Sequence, residues 1–173
     1  EISTRDWSSD VCSSDLKPRR KSFSLRRPRQ AQPACMQAIL ALASIGEPAK
    51  SAGPALLEAL GSNEEMLQFA AAFALGRLRV NEADEPLKNT AASKNEFLAS
   101  VAAWARAQIN PGDKTLVADA VTRLQKLLAS EKPSVRCSSV SGLSDLSAVL
   151  DAKSKDAIAQ AFAGLIADAD PDV

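Results

Sequence analysis

An all-α fold built from about four repeated helix pairs is predicted by three observations. In the stretch Asn63 to Leu78, NEEMLQFAAAFALGRL, with Leu67 as zero position, small or apolar residues fall at Ala71, Ala74, Leu75 and Leu78. Offsets of four, seven, eight and eleven lie on one face of a helix. The same offsets recur as Ala34, Ala38, Ala41, Leu42, Ile45, then Leu98, Ala102, Ala105, Arg106, Ile109, then Val135, Ser139, Gly142, Leu143, Leu146, with Arg106 alone breaking the apolar set. The zero positions, counting a last one at Val173, are 33, 31, 37 and 38 residues apart, and periods of that size mark stacked supersecondary units. Small residues at offsets four and seven let a second helix approach closely, so each unit is expected to be a helix pair.

The chain has 173 residues, of which 46% are hydrophobic and 24% charged, as in ordinary globular domains. Its 21 basic and 21 acidic groups are unevenly placed, with seven basic groups between Lys17 and Arg29. Residues 33–173 hold 13 basic and 17 acidic groups, a net charge of −4. A mildly acidic array lacks the basic stripe that displaces counterions from phosphates, which argues against a nucleic-acid clamp.

Residues 1–16 carry many serines and no helical period. Asp6 to Leu16, DWSSDVCSSDL, resembles the translation of a common sequencing-adapter oligonucleotide. That resemblance predicts a non-native, disordered segment with the true N-terminus missing, so Trp7 and Cys12 carry no functional weight. Residues 17–32, KPRRKSFSLRRPRQAQ, are predicted to be a flexible basic arm, because Pro18 and Pro28 interrupt any helix. It is the one segment suited to nucleic acid or anionic lipid. No signal-peptide core and no run of 18 apolar residues occurs, so no membrane span is expected and a cytoplasmic location is the default.

The first unit, 33–61, is expected to pair a helix near Pro33–Ser44 with one near Ala52–Leu60, separated by Gly46 and Pro48 and closed by Gly61. Pro54 suits the first turn of the second helix. In the second and third units, 62–92 and 93–129, Ser62 with Glu65 and Ser93 with Glu96 have capping-box spacing. The helix over Glu82–Ala92 is poor in large apolar residues, whereas Leu116, Val117, Ala120, Val121, Leu124, Leu127 and Leu128 form a wide stripe. Asn110-Pro111-Gly112 marks a turn between the two helices of the third unit. The fourth unit, 130–168, opens with Pro133 and ends with a helix whose buried face is expected to be Ile158, Phe162, Leu165 and Ile166. A fifth unit starts at 169, where the array is cut short.

VRCSSVSGLSDL from Val135, AAAFALGRL from Ala70 and DADPDV from Asp168 resemble HEAT repeats, particularly the bacterial HEAT-like and bilin-lyase type. The resemblance covers about residues 33–173 and implies a right-handed α-solenoid, with the first (A) helices convex and the second (B) helices lining a concave, partner-binding face. Some relatives attach bilins to antenna proteins, but no residue here matches that activity. The resemblance also implies a structural role for Arg136, linking units through an acidic residue of the Asp168, Asp170, Asp172 type. Arg106, where other units have leucine, marks a buried polar contact, a twist in its helix or, as the favoured expectation, a snorkelling side chain, and Trp104, in phase with Phe73 and Leu40, is expected to fill core.

No histidine occurs, so the commonest general base and metal ligand is missing. Cys35 and Cys137 have no zinc spacing and occupy small-residue positions where buried, inert thiols are expected, and the seven glycines form no phosphate loop. No catalytic, cofactor-binding or metal-binding residue is predicted, and the chain is not expected to be an enzyme. The expected function is a protein-interaction scaffold whose partner meets a mixed-charge row on the B helices: Glu58, Lys88, Arg123, Lys126 and Gln160, with Asp119 and Lys155 at its margins. The alternative is a docking or regulatory segment of a larger enzyme, a HEAT-like lyase or a redox fusion.

Overall fold

The computed structural model describes residues 34–166. The adapter-like segment, the basic arm, and the residues from 167, on which the expected start of a fifth unit falls, lie outside them. Among the described residues the fold is all-helical, with eight α-helices and no strand: α1 (Ala34–Ile45), α2 (Gly53–Leu60), α3 (Glu65–Leu78), α4 (Asp84–Ala91), α5 (Glu96–Ile109), α6 (Lys114–Leu127), α7 (Pro133–Leu146) and α8 (Ala152–Leu165). Short 3-10 turns lead into α2 and α4 and follow α7.

Local chemistry explains the boundaries. α1 stops at Gly46, whose φ of 74° is open to a residue without Cβ and whose N–H closes on the Leu42 carbonyl. α2 and α7 begin with a proline in their first turn, where no intrahelical donor is lost. α5, α6 and α8 start on Asn95, Asp113 and Asp151, each side chain accepting from backbone N–H groups of the first turn. The expected capping boxes do not form. Ser62 and Ser93 lie two residues before the N-caps of their helices, where each hydroxyl accepts from the N–H of the cap residue, Glu64 and Asn95 respectively. The caps are therefore Glu64, without a side-chain bond, and Asn95. A short polar side chain can bond its own turn as readily as a helix start, and here the turn wins.

Packing follows chain order. α2 packs on α3, α4 on α5 and α6 on α7, while α3 also packs on α1 and α5, and α5 on α6 and α7. In α3, α5 and α7 the repeated offsets are thereby covered: Ala71, Ala74, Leu75 and Leu78, then Leu98, Ala102, Ala105 and Ile109, then Val135, Ser139, Gly142, Leu143 and Leu146 are all buried. In α1 the equivalent stripe is not. Ala34, Ala38, Ala41 and Ile45 are exposed, and Met36, Ile39 and Ala43 are buried instead. The reason is geometric: the stripe seats each A helix on the helix before it, and α1 has no predecessor among the described residues.

Two other expectations are corrected. Arg106 does not snorkel; its side chain, 17% exposed, forks onto Asp84 at the start of α4 with Nε–Oδ1 3.0 Å and Nη2–Oδ2 3.3 Å, and Asn110 Nδ2 donates to the same carboxylate at 3.2 Å. The one break in the apolar face is thus a polar link to the preceding helix, in the bidentate geometry an arginine favours. In α8 only Ile158 is buried; Phe162 and Leu165 are half-buried and Ile166 is 87% exposed, because no described element covers its far side.

Alanine dominates the centre. Ala70, Ala71, Ala72 and Ala74 of α3 and Ala102, Ala103, Ala105 and Ala107 of α5 are buried. Gly76 takes this to its limit, since a Cβ there would lie 2.7 Å from the Ala105 Cα and 2.8 Å from Trp104 Cζ3. α3 and α5 are in backbone contact.

Candidate functional site

Where α1, α3, α5 and α7 run side by side they leave an apolar groove of about 470 Å³, a size typical of ligand-binding clefts. α1 contributes Leu40, Ala43 and Ser44; α3 Phe69, Phe73 and Arg77; α5 Val101 and Trp104; α7 Cys137, Ser138, Ser141, Gly142 and Asp145; and α6 reaches in with Leu124. The floor is a row at offset six of the repeat, Leu40, Phe73 and Trp104, with Ser141 ending it. Phe73 and Trp104 stack with centroids 5.2 Å apart and planes 13° from parallel, and Phe69 stacks on Phe97 beside them at 4.6 Å. Trp104 fills core as expected, being 2% exposed, and also forms part of the groove floor.

The groove's charges sit at its rim and meet each other. Arg77 Nη1 lies 3.5 Å from Asp145 Oδ1, joining α3 to α7 across α5. Cys137 in the wall and Cys35 at the start of α1 are exposed thiols, contrary to their expected burial.

The five residues of the expected B-helix row lie on α2, α4, α6 and α8. Glu58 on α2 and Gln160 on α8 are exposed. Lys88 on α4 is exposed and pairs with Glu85 at 3.2 Å. Arg123 and Lys126 come together on α6, lining a small hollow of about 180 Å³ with Ser93, Glu96 and Ser100. Both are engaged within the fold: Arg123 with Asp119 at 2.9 Å and with the Ala91 carbonyl at 3.2 Å, Lys126 with Glu96 of α5. They fasten α6 to the α4–α5 turn. A second cleft, about 800 Å³, separates α6 from α8 between Val117, Val121 and Gln125 on one side and Val149, Asp151 and Ala157 on the other. It contains none of the row.

Arg136, read as a unit linker, donates from Nη1 to the Ser130 and Glu131 carbonyls and so braces the α6–α7 turn; Asp168, Asp170 and Asp172 lie outside the described residues. Among the described residues no group of three His, Cys, Asp or Glu side chains is placed to hold a metal ion, and no helix is long and apolar enough to cross a membrane. No protein-family model matches the chain, and no curated protein matches it. The groove was missed in the sequence because its floor residues read as core. The available signal was the large side chain repeated at offset six, outside the buried stripe.

Proposed function

We propose that this chain is a protein-interaction scaffold whose helices stack as a right-handed, HEAT-like solenoid of about four helix pairs, and that its partner binds in the groove crossing α1, α3, α5 and α7. Support for the stack is the order of packing, in which the principal pairs are neighbouring or next-neighbouring helices. The observation that carries the groove is its lining: aromatic and aliphatic side chains from α1, α3, α5 and α6, closed on the α7 side by small residues, with the rim charges mutually paired. Desolvated aromatic pockets concentrate binding energy. The row Glu58, Lys88, Arg123, Lys126 and Gln160 is the weaker surface, since its three cations are already paired internally.

Photo-crosslinking separates the two surfaces. With p-benzoylphenylalanine replacing Ser141 in the groove wall, covalent adducts with a partner protein form in cells, and with the same residue replacing Glu58 they do not. Adducts from the Glu58 position alone, or from neither, overturn the groove assignment.

A further inference from the structure

At about 800 Å³ the cleft between α6 and α8 is larger than the groove and falls within the size range of ligand sites. Its depth is apolar. Val117 and Val121 of α6, 5% and 9% exposed, form one wall, and Val149, Leu150 and Ala157 of the α7–α8 connection and α8 form the other. Its lips are cationic. Lys114, the first residue of α6, and Lys153, the second of α8, line the cleft and are exposed, and among the described residues neither has a carboxylate within ion-pair distance. That sets them apart from Arg123 and Lys126 in the small hollow, which pair with Asp119 and Glu96. The lining holds one acid, Asp151, and it is committed to its own helix, where its Oδ1 accepts from the Ser154 N–H at 2.7 Å. The Ser154 N–H and hydroxyl hold Asp151 below the ordinary carboxylate range, and the charges of Lys153 and Lys114 act in the same direction, so both ammonium groups lie near the start of α8. Two lysines against one carboxylate leave the mouth with a net charge of +1. The side chains that could serve a peptide backbone are mostly spent. Thr122 Oγ1 donates to the Ala118 carbonyl at 2.8 Å and the Ser154 hydroxyl to Asp151, which leaves the amide of Gln125.

We infer that this cleft binds an aliphatic carboxylate of the fatty-acid class, its chain lying against Val117, Val121, Val149 and Ala157 and its carboxylate held at the mouth between Lys114 and Lys153. Each part of the lining selects. A hydrocarbon chain leaves water for apolar walls and brings no polar group to satisfy, whereas a peptide backbone in the same space would need partners that the one amide of Gln125 cannot supply. The anion stays at the lips, where it gains two cations and keeps part of its water. α8 buries only Ile158 and is not among the main packed pairs, so a chain touching both walls also ties that helix to α6. The cleft is a different surface from the groove, and its occupant does not depend on the groove reading.

The test uses the full chain, ¹⁵N-labelled and titrated with sodium octanoate below its micelle-forming concentration. The amide signals of Val117, Val121 and Ala157 move to saturation while those of Phe73 and Trp104 in the groove stay still, and in the complex amide exchange slows across residues 152–165. Octanamide, with the same chain length and no charge, binds about fivefold more weakly, the scale of an exposed ion pair. The double variant Lys114→Gln/Lys153→Gln loses about the same factor in octanoate affinity, yet binds octanamide as the unaltered chain does, which shows that its cleft is intact. N-acetyl-leucine, a carboxylate carried on a peptide unit, binds more weakly than octanoate. Equal binding of octanoate and octanamide, or an unchanged octanoate affinity in the lysine variant, overturns the part given to the charge. Tighter binding of N-acetyl-leucine overturns the fatty-acid class in favour of a peptide terminus. Signals that do not move, that move without saturating, or that move in the groove as well overturn the site and mark surfactant adhesion at most. Unchanged exchange in α8 at saturation overturns the bridging of the two helices.

Discussion

Arg79 ends α3 with φ 51° and ψ 52°, the left-handed conformation, and its N–H closes on the Gly76 and Leu75 carbonyls. A side chain with a Cβ is strained there by about 1–2 kcal/mol, whereas glycine occupies the region freely. Arg79→Gly should therefore raise stability by about 1 kcal/mol after glycine's larger entropy loss is subtracted, read as a Tm higher by a few degrees; an unchanged or lower Tm would show that the arginine side chain contributes more than its backbone costs. Arg106 is the opposite case, a residue whose polarity is used. Arg106→Ala leaves the Asp84 carboxylate without its fork and should cost about 2 kcal/mol, and in the Asp84→Asn background the same change should cost clearly less. Equal costs in both backgrounds would mean the two side chains do not interact. The helix caps set an acid limit. Asp113 is held below the ordinary carboxylate range first by the Thr115 hydroxyl and then by the Leu116 and Thr115 N–H groups, and Asp151 by the N–H and hydroxyl of Ser154. A carboxyl with a lowered folded-state pKa adds stability that is complete above its unfolded value, about 3.9, and is lost as pH falls through the folded one. Thermal stability should hold down to about pH 4 as far as these two groups are concerned, then decline, and Asp113→Asn, which keeps a good cap but cannot titrate, should make that decline shallower.

Single elements differ widely in how firmly they are held. α5 buries ten residues and α8 one. Helices that gain little burial open first, so amide exchange should be faster across residues 152–165 than across residues 114–127 of α6; slower exchange in α8 would require cover that the described fold does not provide. The α3–α5 contact sits at the firm end. Gly76→Ala places a methyl group against the Ala105 backbone, where no rotamer change can relieve it, and should cost about 1–3 kcal/mol by overpacking, despite alanine's better helix propensity. Helix positions were legible in the sequence because their signals are local: Pro54 and Pro133 at starts, Gly46 at a stop, and the stripe of small residues that defines the phase of α3, α5 and α7. Burial of the stripe was not, since it depends on a preceding neighbour, which α3, α5 and α7 have and α1 lacks. The capping boxes failed for a related reason. Ser62 and Ser93 have the right spacing, but two local hydrogen-bonding patterns compete for one hydroxyl.

For the molecule as a whole, the repeat offsets in the sequence foretold an all-helical fold, and the described residues are all-helical, with α2 on α3, α4 on α5 and α6 on α7 among the packed pairs. Placement of the groove was not legible. It depends on which row of helices draws together, and the packing of α1 on α3 and of α3 on α5 comes from alanine and glycine positions whose effect appears only when two helices meet. The same alanine interior has a calorimetric consequence. A buried alanine removes one methyl group from water where a leucine removes four carbons, so a centre made of Ala70–Ala72, Ala74, Ala102, Ala103, Ala105 and Ala107 exposes little apolar area per residue when it unfolds. The heat-capacity increment of unfolding scales with that area. It should fall below the usual ~12–15 cal/mol/K per residue, giving a stability curve that bends gently and changes slowly between cold and physiological temperature. The denaturant m-value, governed by the same exposed surface, should be correspondingly low for a folded unit of this length.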